Sequence, residues 1–137
     1  MEHEAKVTST VVFVRDLERS AEFYTSVFGC RKTLDADGGA LLLAPGGFQI
    51  YLVAKGEDAP HPLEGIGAQY LMWAVDTPEG LQQFEASLKS ASRYSDTHSS
   101  GGVTFVEGRD PDGIRVVIAH PSPLQQPRSS LDNRIYS

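Results

Sequence analysis

Four histidines, one cysteine and a scatter of serines and carboxylates are the side chains of this chain with acid–base, nucleophilic or metal-binding chemistry. His3 lies near the N-terminus, His61 sits in Pro60-His61-Pro62, His98 falls in a polar stretch that reads as a loop, and His120 ends an apolar run. No two of them have the i, i+4 or other compact spacing of a metal pair on one element. Ser9, Ser20 and Ser26 have no histidine nearby in sequence and no Gly-x-Ser-x-Gly turn to expose a nucleophile. Asp35, Asp37, Asp110 and Asp112 stand in turn patterns, where an aspartate side chain bonds backbone N–H groups. Glu107, just before Gly108, is the one carboxylate at a strand end suited to general-base work. A charged side chain at such a place is usually solvated. Cys30 follows Gly29 at the start of a strand pattern and reads as a small buried hydrophobe, not a reactive thiol. A lone cysteine excludes an internal disulfide and suits a reducing compartment.

These side chains need elements to position them, and the apolar spacing supplies two similar runs. In the first, the β-branched stretch Val7 to Val14 predicts a strand. Asp16 is an N-cap. Leu17, Ala21, Tyr24 and Phe28 then recur at helical spacing, with Gly29 at the C-cap. Short strand patterns follow at Arg31 to Asp35, Ala40 to Ala44 and Phe48 to Ala54, separated by Asp37-Gly38-Gly39 and Pro45-Gly46-Gly47. The stretch from Lys55 to Gly67 reads as a linker. In the second run, Gln69 to Val75 predicts a strand and Thr77-Pro78-Glu79 a helix start. Leu81, Phe84, Leu88 and Ala91 form the apolar stripe of that helix. The stretch from Ser92 to Gly102 is weakly patterned, and only a short irregular strand is expected there. Val103 to Val106 predicts a strand, Arg109-Asp110-Pro111-Asp112-Gly113 a hairpin turn, and Ile114 to Ala119 the closing strand. Two copies of a βαβββ unit, about 8–55 and 68–120, thus share one domain spanning 1–137. Repetition at this level sets the architecture ahead of any motif. The remainder, 121–137, is a polar tail with three prolines, either an arm on a partner subunit or a loose end.

Composition removes several function classes. The chain has 137 residues, a formal net charge of −6 and 12 basic residues with no run longer than Arg31-Lys32. Phosphate backbones need clustered Lys and Arg, so nucleic acid is excluded as a partner. No apolar run approaches the roughly 20 residues that span a bilayer, so no membrane partner is expected. The polar, acidic N-terminus is not a secretory signal, and a cytoplasmic location is the expectation.

The paired units, the stretch Phe13-Val14-Arg15-Asp16-Leu17-Glu18-Arg19-Ser20-Ala21-Glu22-Phe23-Tyr24 and the turn Gly108-Arg109-Asp110-Pro111-Asp112-Gly113 resemble the vicinal oxygen chelate superfamily. That group includes glyoxalase I, extradiol dioxygenases, fosfomycin-inactivating transferases and bleomycin-resistance proteins. The resemblance covers about Thr8 to His120. It implies an α+β fold in which curled mixed sheets surround a cup, with helices outside. In the metalloenzymes of the group, His or Glu from the first and last strands of each unit holds a divalent metal in that cup. Alignment on Asp16, Asp76 and Gly113 places those four positions at Ser9, Tyr51, Tyr70 and Val117. Imidazole or carboxylate donors are required, and neither these residues nor their immediate neighbours supply them. No metal and no cofactor are therefore expected.

Alternation along the strands brings Val11 and Phe13 to the face of Ser9, Gln49 and Val53 to that of Tyr51, Met72 and Ala74 to that of Tyr70, and Arg115 and Ala119 to that of Val117. The implied ligand site is Ser9, Phe13, Gln49, Tyr51, Tyr70, Met72, Arg115 and Val117. It is mostly apolar with a few polar handles. Phe13, Tyr51 and Tyr70 suit a planar or conjugated molecule, although large apolar residues are commonly core. Arg115 reads as an exposed or ion-paired strand residue, with a ligand carboxylate or phosphate as the alternative. Trp73, on the opposite face from Tyr70 and Met72, is assigned to packing under the helices. The resemblance is nearest to the bleomycin-resistance-like branch. It implies metal-independent capture of a small molecule, an antibiotic being the ligand class of that branch, by a homodimer with no bond broken. The competing reading is an enzyme of the same superfamily. This is either a metal-free isomerase, cyclase or lyase using tyrosine or Glu107, or a metal-dependent lyase or dioxygenase with displaced ligands.

Overall fold

Ten elements form along the chain in a computed structural model that describes residues 7–58 and 68–122. His3, His61 and the tail beyond Ser122 lie outside the described residues. The chain divides into two units, Met1–Leu63 and Glu64–Ser137.

The first unit runs β1 (Ser9–Val14), α1 (Leu17–Phe28), β2 (Arg31–Ala36), β3 (Gly39–Leu43) and β4 (Gln49–Ala54). Its mixed sheet has the order β1-β4-β3-β2, with β1 parallel to β4 and the other pairs antiparallel. The helix starts where expected: Asp16 Oδ1 accepts from Arg19 N–H at 2.9 Å, satisfying a donor of the first turn. It stops at Gly29, whose φ of 69° is left-handed, a conformation that costs a residue with a Cβ about 1–2 kcal/mol. Its buried side chains are Ser20, Ala21, Phe23, Tyr24 and Phe28. The sheet answers with Val14, Ala40, Leu42, Ile50 and Leu52, all buried. Each large side chain among them stabilises the fold by about 1.5–3 kcal/mol. The alternate face of the same strands is open: Val11 is 60% and Phe13 61% exposed. Asp35, which the sequence places both at the end of a strand pattern and in turn chemistry, lies within β2, where its Oδ2 is 3.5 Å from Lys32 Nζ. The strand continues through it because Asp35 pairs with Ala40 in the β2–β3 hairpin.

The second unit runs β5 (Leu71–Ala74), α2 (Pro78–Ser90), β6 (Tyr94–Ser100), β7 (Val103–Arg109) and β8 (Arg115–His120). Its sheet order is β5-β8-β7-β6, again with one parallel pair, β5 and β8. Thr77 Oγ1 accepts from Gly80 N–H at 3.0 Å and caps α2. Leu81 and Leu88 are buried beneath the helix. Ala91, expected in the apolar stripe, is instead the exposed C-cap residue. Trp73 pairs with the fully buried Ile118, on the face opposite Met72. In the turn after β7, Asp110 Oδ1 accepts from the N–H groups of Asp112 and Ile114 at 2.8 and 2.9 Å.

Two expectations are corrected here. The weakly patterned stretch holds a seven-residue strand, β6, paired with β7 along its length and shifted in register between Tyr94 and Asp96. β7 also runs past Val106 to Arg109. The reason is Gly108: a Cβ there would lie 2.5 Å from Arg93 O and 3.1 Å from the Leu88 methyl carbons. Glycine at this point permits close packing and is not a terminator.

Candidate functional site

Strand register gathers the polar residues of the second unit. Asp96 of β6 pairs with Glu107 of β7, which pairs with Val117 of β8, which pairs with Met72 of β5. His98 pairs with Phe105, and Phe105 with Ala119. Side chains two residues apart share a face, so Asp96, His98, Phe105, Glu107, Arg115, Val117 and Met72 all project from one side of the sheet. Val103, Phe105, Val117 and Ala119 form an apolar cluster there, with Tyr70 and Met72 packed on it.

Within this apolar setting Glu107 is buried, contrary to the expectation of a solvated strand end. Its charge is offset by Arg115, whose Nη2 and Nε lie 2.6 and 2.7 Å from Glu107 Oε1. Both groups of such a pair leave water at a cost that only close, hydrogen-bonded geometry repays. Arg115 is thus ion-paired in this structure. The guanidinium also lies over the Tyr70 ring, 4.9 Å from its centroid, a favourable cation–π position. The other oxygen of Glu107, Oε2, is 3.4 Å from His98 Nδ1, and Asp96 Oδ2 is 3.7 Å from the same nitrogen. His98 was expected in a loop. It is a strand residue whose side chain is only 8% exposed, stacked on Phe105 with ring centroids 5.4 Å apart. A buried imidazole beside two carboxylates can exchange a proton with them or join them in holding a cation.

In the first unit, Ser9 pairs with Gln49 and Val11 with Tyr51, so Ser9, Val11, Phe13, Gln49 and Tyr51 share the open face. Tyr51 leans along the sheet over Gly39: a Cβ on that glycine would meet the phenol oxygen at 2.7 Å. Lys55 Nζ stands 4.4 Å from the Phe13 ring centroid. The residues proposed from sequence thus fall into two sets, Ser9, Phe13, Gln49 and Tyr51 on one sheet and Met72, Arg115 and Val117 on the other, with Tyr70, just before β5, packed against the latter. Val117 is fully buried.

At the four positions that the resemblance assigns to the superfamily's metal, Ser9, Tyr51, Tyr70 and Val117 are the residues present. A serine hydroxyl, two phenols and an isopropyl group replace the required imidazole and carboxylate donors. Asp96 and His98 stand in this cluster without having been singled out from the sequence, beside Glu107, which was. Among the described residues, Asp96, His98 and Glu107 are the one group of three potential donors brought together, with one ligand atom from each all within 4.8 Å.

Known proteins share this arrangement of elements. A glyoxylase/bleomycin resistance protein/dioxygenase domain from Frankia sp. EAN1pec superposes with a TM-score of 0.75 at 22% identity, covering 85% of this chain and 98% of that one. A glyoxalase/dioxygenase from Nostoc punctiforme gives 0.71 at 20% identity, over 83% and 89% of the two chains. A lactoylglutathione lyase from Agrobacterium tumefaciens gives 0.68 at 18% identity, over 85% and 93%. At these identities the likeness is one of fold. No curated protein matches the sequence. The family model for the superfamily does match, over residues 6–118, and this chain belongs to the Glyoxalase/Bleomycin resistance protein/Dioxygenase superfamily.

Proposed function

We propose that this chain binds a small, planar or conjugated organic molecule against the open face of its first sheet, without a metal at the superfamily's four positions. The observation that carries this reading is the exposure of Val11, Phe13 and Tyr51 side by side on one face, at 60%, 61% and 38%. A contiguous apolar patch on a folded protein marks a surface that something covers. Each ring stacked on a flat ligand contributes about 0.5–1.5 kcal/mol. Ser9 and Gln49, opposite one another, supply the sparse polar contacts that orient such a guest. In this reading the ligand is held and no bond is broken, as in the bleomycin-resistance-like branch that the sequence resembles. An antibiotic is the ligand class that this branch implies. Because ligand grooves of that branch lie between subunits, the working form proposed is a two-fold dimer.

The experiment is a thermal-shift panel of conjugated and saturated compounds of similar size, since a ligand that prefers the folded state raises its melting temperature. Conjugated compounds raise it in the parent chain, and Phe13→Ala or Tyr51→Ala removes most of the rise. Equal shifts in parent and variants would sink the reading. A specific observation favours the catalytic alternative: Glu107 Oε2 lies 3.4 Å from His98 Nδ1 in a largely buried place, an arrangement suited to moving a proton. Turnover of a bound compound, abolished in Glu107→Gln, would establish that alternative instead.

A further inference from the structure

We propose that Asp96, His98 and Glu107 form a binding site for one divalent transition-metal ion of the zinc or manganese type. It lies on the second sheet and uses none of the superfamily's four positions. Three atoms define it: Asp96 Oδ2, His98 Nδ1 and Glu107 Oε2. The nitrogen is 3.7 and 3.4 Å from the two oxygens. Bonds of about 2.1 Å give donor–donor edges of about 3.0 Å in an octahedron and 3.4 Å in a tetrahedron. The three ligand atoms lie within 4.8 Å of one another, so binding requires the half-exposed Asp96 side chain to turn toward the other two. A proton on the imidazole explains the geometry less well. Charge-assisted hydrogen bonds are about 2.7–2.9 Å long, and a single Nδ1–H points at one oxygen, not two.

Charge and support agree with this assignment. Asp96 and Glu107 carry two negative charges, and Arg115 offsets one of them. Arg115 occupies Glu107 Oε1, which orients the carboxylate and leaves Oε2 toward His98. Partners of this kind behind a ligand fix its orientation. The stack on Phe105 fixes the imidazole plane. Asp96 is 45% exposed at its side chain, so the ion has a route in from water. One imidazole and two carboxylates suit borderline ions. Three protein donors leave coordination positions for water or for an oxygen-bearing ligand, a carboxylate, carbonyl or hydroxyl. The site stands independently of ligand capture on the first sheet.

The test is titration of the chelator-treated full chain with Zn2+ and with Mn2+ by calorimetry, and with Co2+ by visible absorption. One ion per chain is expected. Asp96→Asn and His98→Gln each weaken affinity by about a hundredfold or more, since even outer partners of a ligand are worth 10–100-fold. Glu22→Gln, an exposed carboxylate on α1, leaves it unchanged. Asp96 is half-exposed, so its variant keeps the fold, checked by melting, and carries the test if His98→Gln does not fold. No binding at millimolar ion overturns the proposal. Equal affinity in Asp96→Asn and the parent overturns it too, and marks an adventitious ion only. Loss of stacking-ligand binding in Phe13→Ala, by contrast, bears on the first sheet alone.

Discussion

Burial sets the behaviour of Cys30. The side chain is 5% exposed at the mouth of β2, and desolvation pushes its thiol up to about 11 from 9.0. The thiolate is the nucleophile, so at pH 7–8 almost none is available. A disulfide-exchange reagent is therefore expected to label the native chain far more slowly than the chain in denaturant. Equal labelling rates would contradict the burial. The sign carries over to stability. The folded state holds the proton more tightly than the unfolded one, so Cys30 contributes fully below pH 9 and loses that contribution as pH rises toward 11. Glu107 shows the opposite handling of a charge. It stays in an apolar face because Arg115 accompanies it, the usual condition for a buried carboxylate.

At the scale of elements, the close approach of α2 and β7 hangs on one missing side chain. Gly108→Ala places a Cβ against the Arg93 carbonyl, which is backbone and cannot rotate away. The expected cost is about 2–3 kcal/mol, in the range of core overpacking, read as a shift of the urea midpoint. Gly38→Ala meets open space but keeps a φ of 72°, and costs about 1 kcal/mol. An order reversed between the two would refute this account of Gly108. The same glycine explains why β7 was legible only as far as Val106: Glu107-Gly108 reads as a strand end, yet here it is strand interior. Helix ends were readable because Asp16, Gly29 and Thr77 act locally, through their own side chain or φ. β6 was not, because Tyr94–Ser100 carries few apolar residues to alternate. Its partners are polar: Tyr94 Oη and Thr97 Oγ1 lie 2.8 Å apart, and Thr97 Oγ1 donates to Glu85 Oε1 at 2.7 Å. A strand held by hydroxyls and carboxylates leaves no hydrophobic period, and that hid Asp96 and His98 with it.

At the scale of the whole molecule, the two units treat their helix-free faces differently. The first leaves Val11 and Phe13 open, whereas Val117 and Ala119 of the second are fully buried. Among the described residues no helix is long and apolar enough to cross a membrane. Sedimentation equilibrium is expected to give twice the mass of the chain, in line with the proposed dimer. The mass of a single chain at micromolar concentration would rule that assembly out. The ladder between β7 and β8 has one more consequence. Glu107 and Val117 occupy a single rung, with neighbouring strands about 4.8 Å apart. Exchanging the two residues as a pair would move a carboxylate sideways to the position that the sequence resemblance assigns to a metal ligand. It preserves the direction in which that carboxylate points and the summed volume of the two side chains. Exchange of an acidic group across one rung is thus a two-substitution change that would relocate a carboxylate between strands without turning it to the other face.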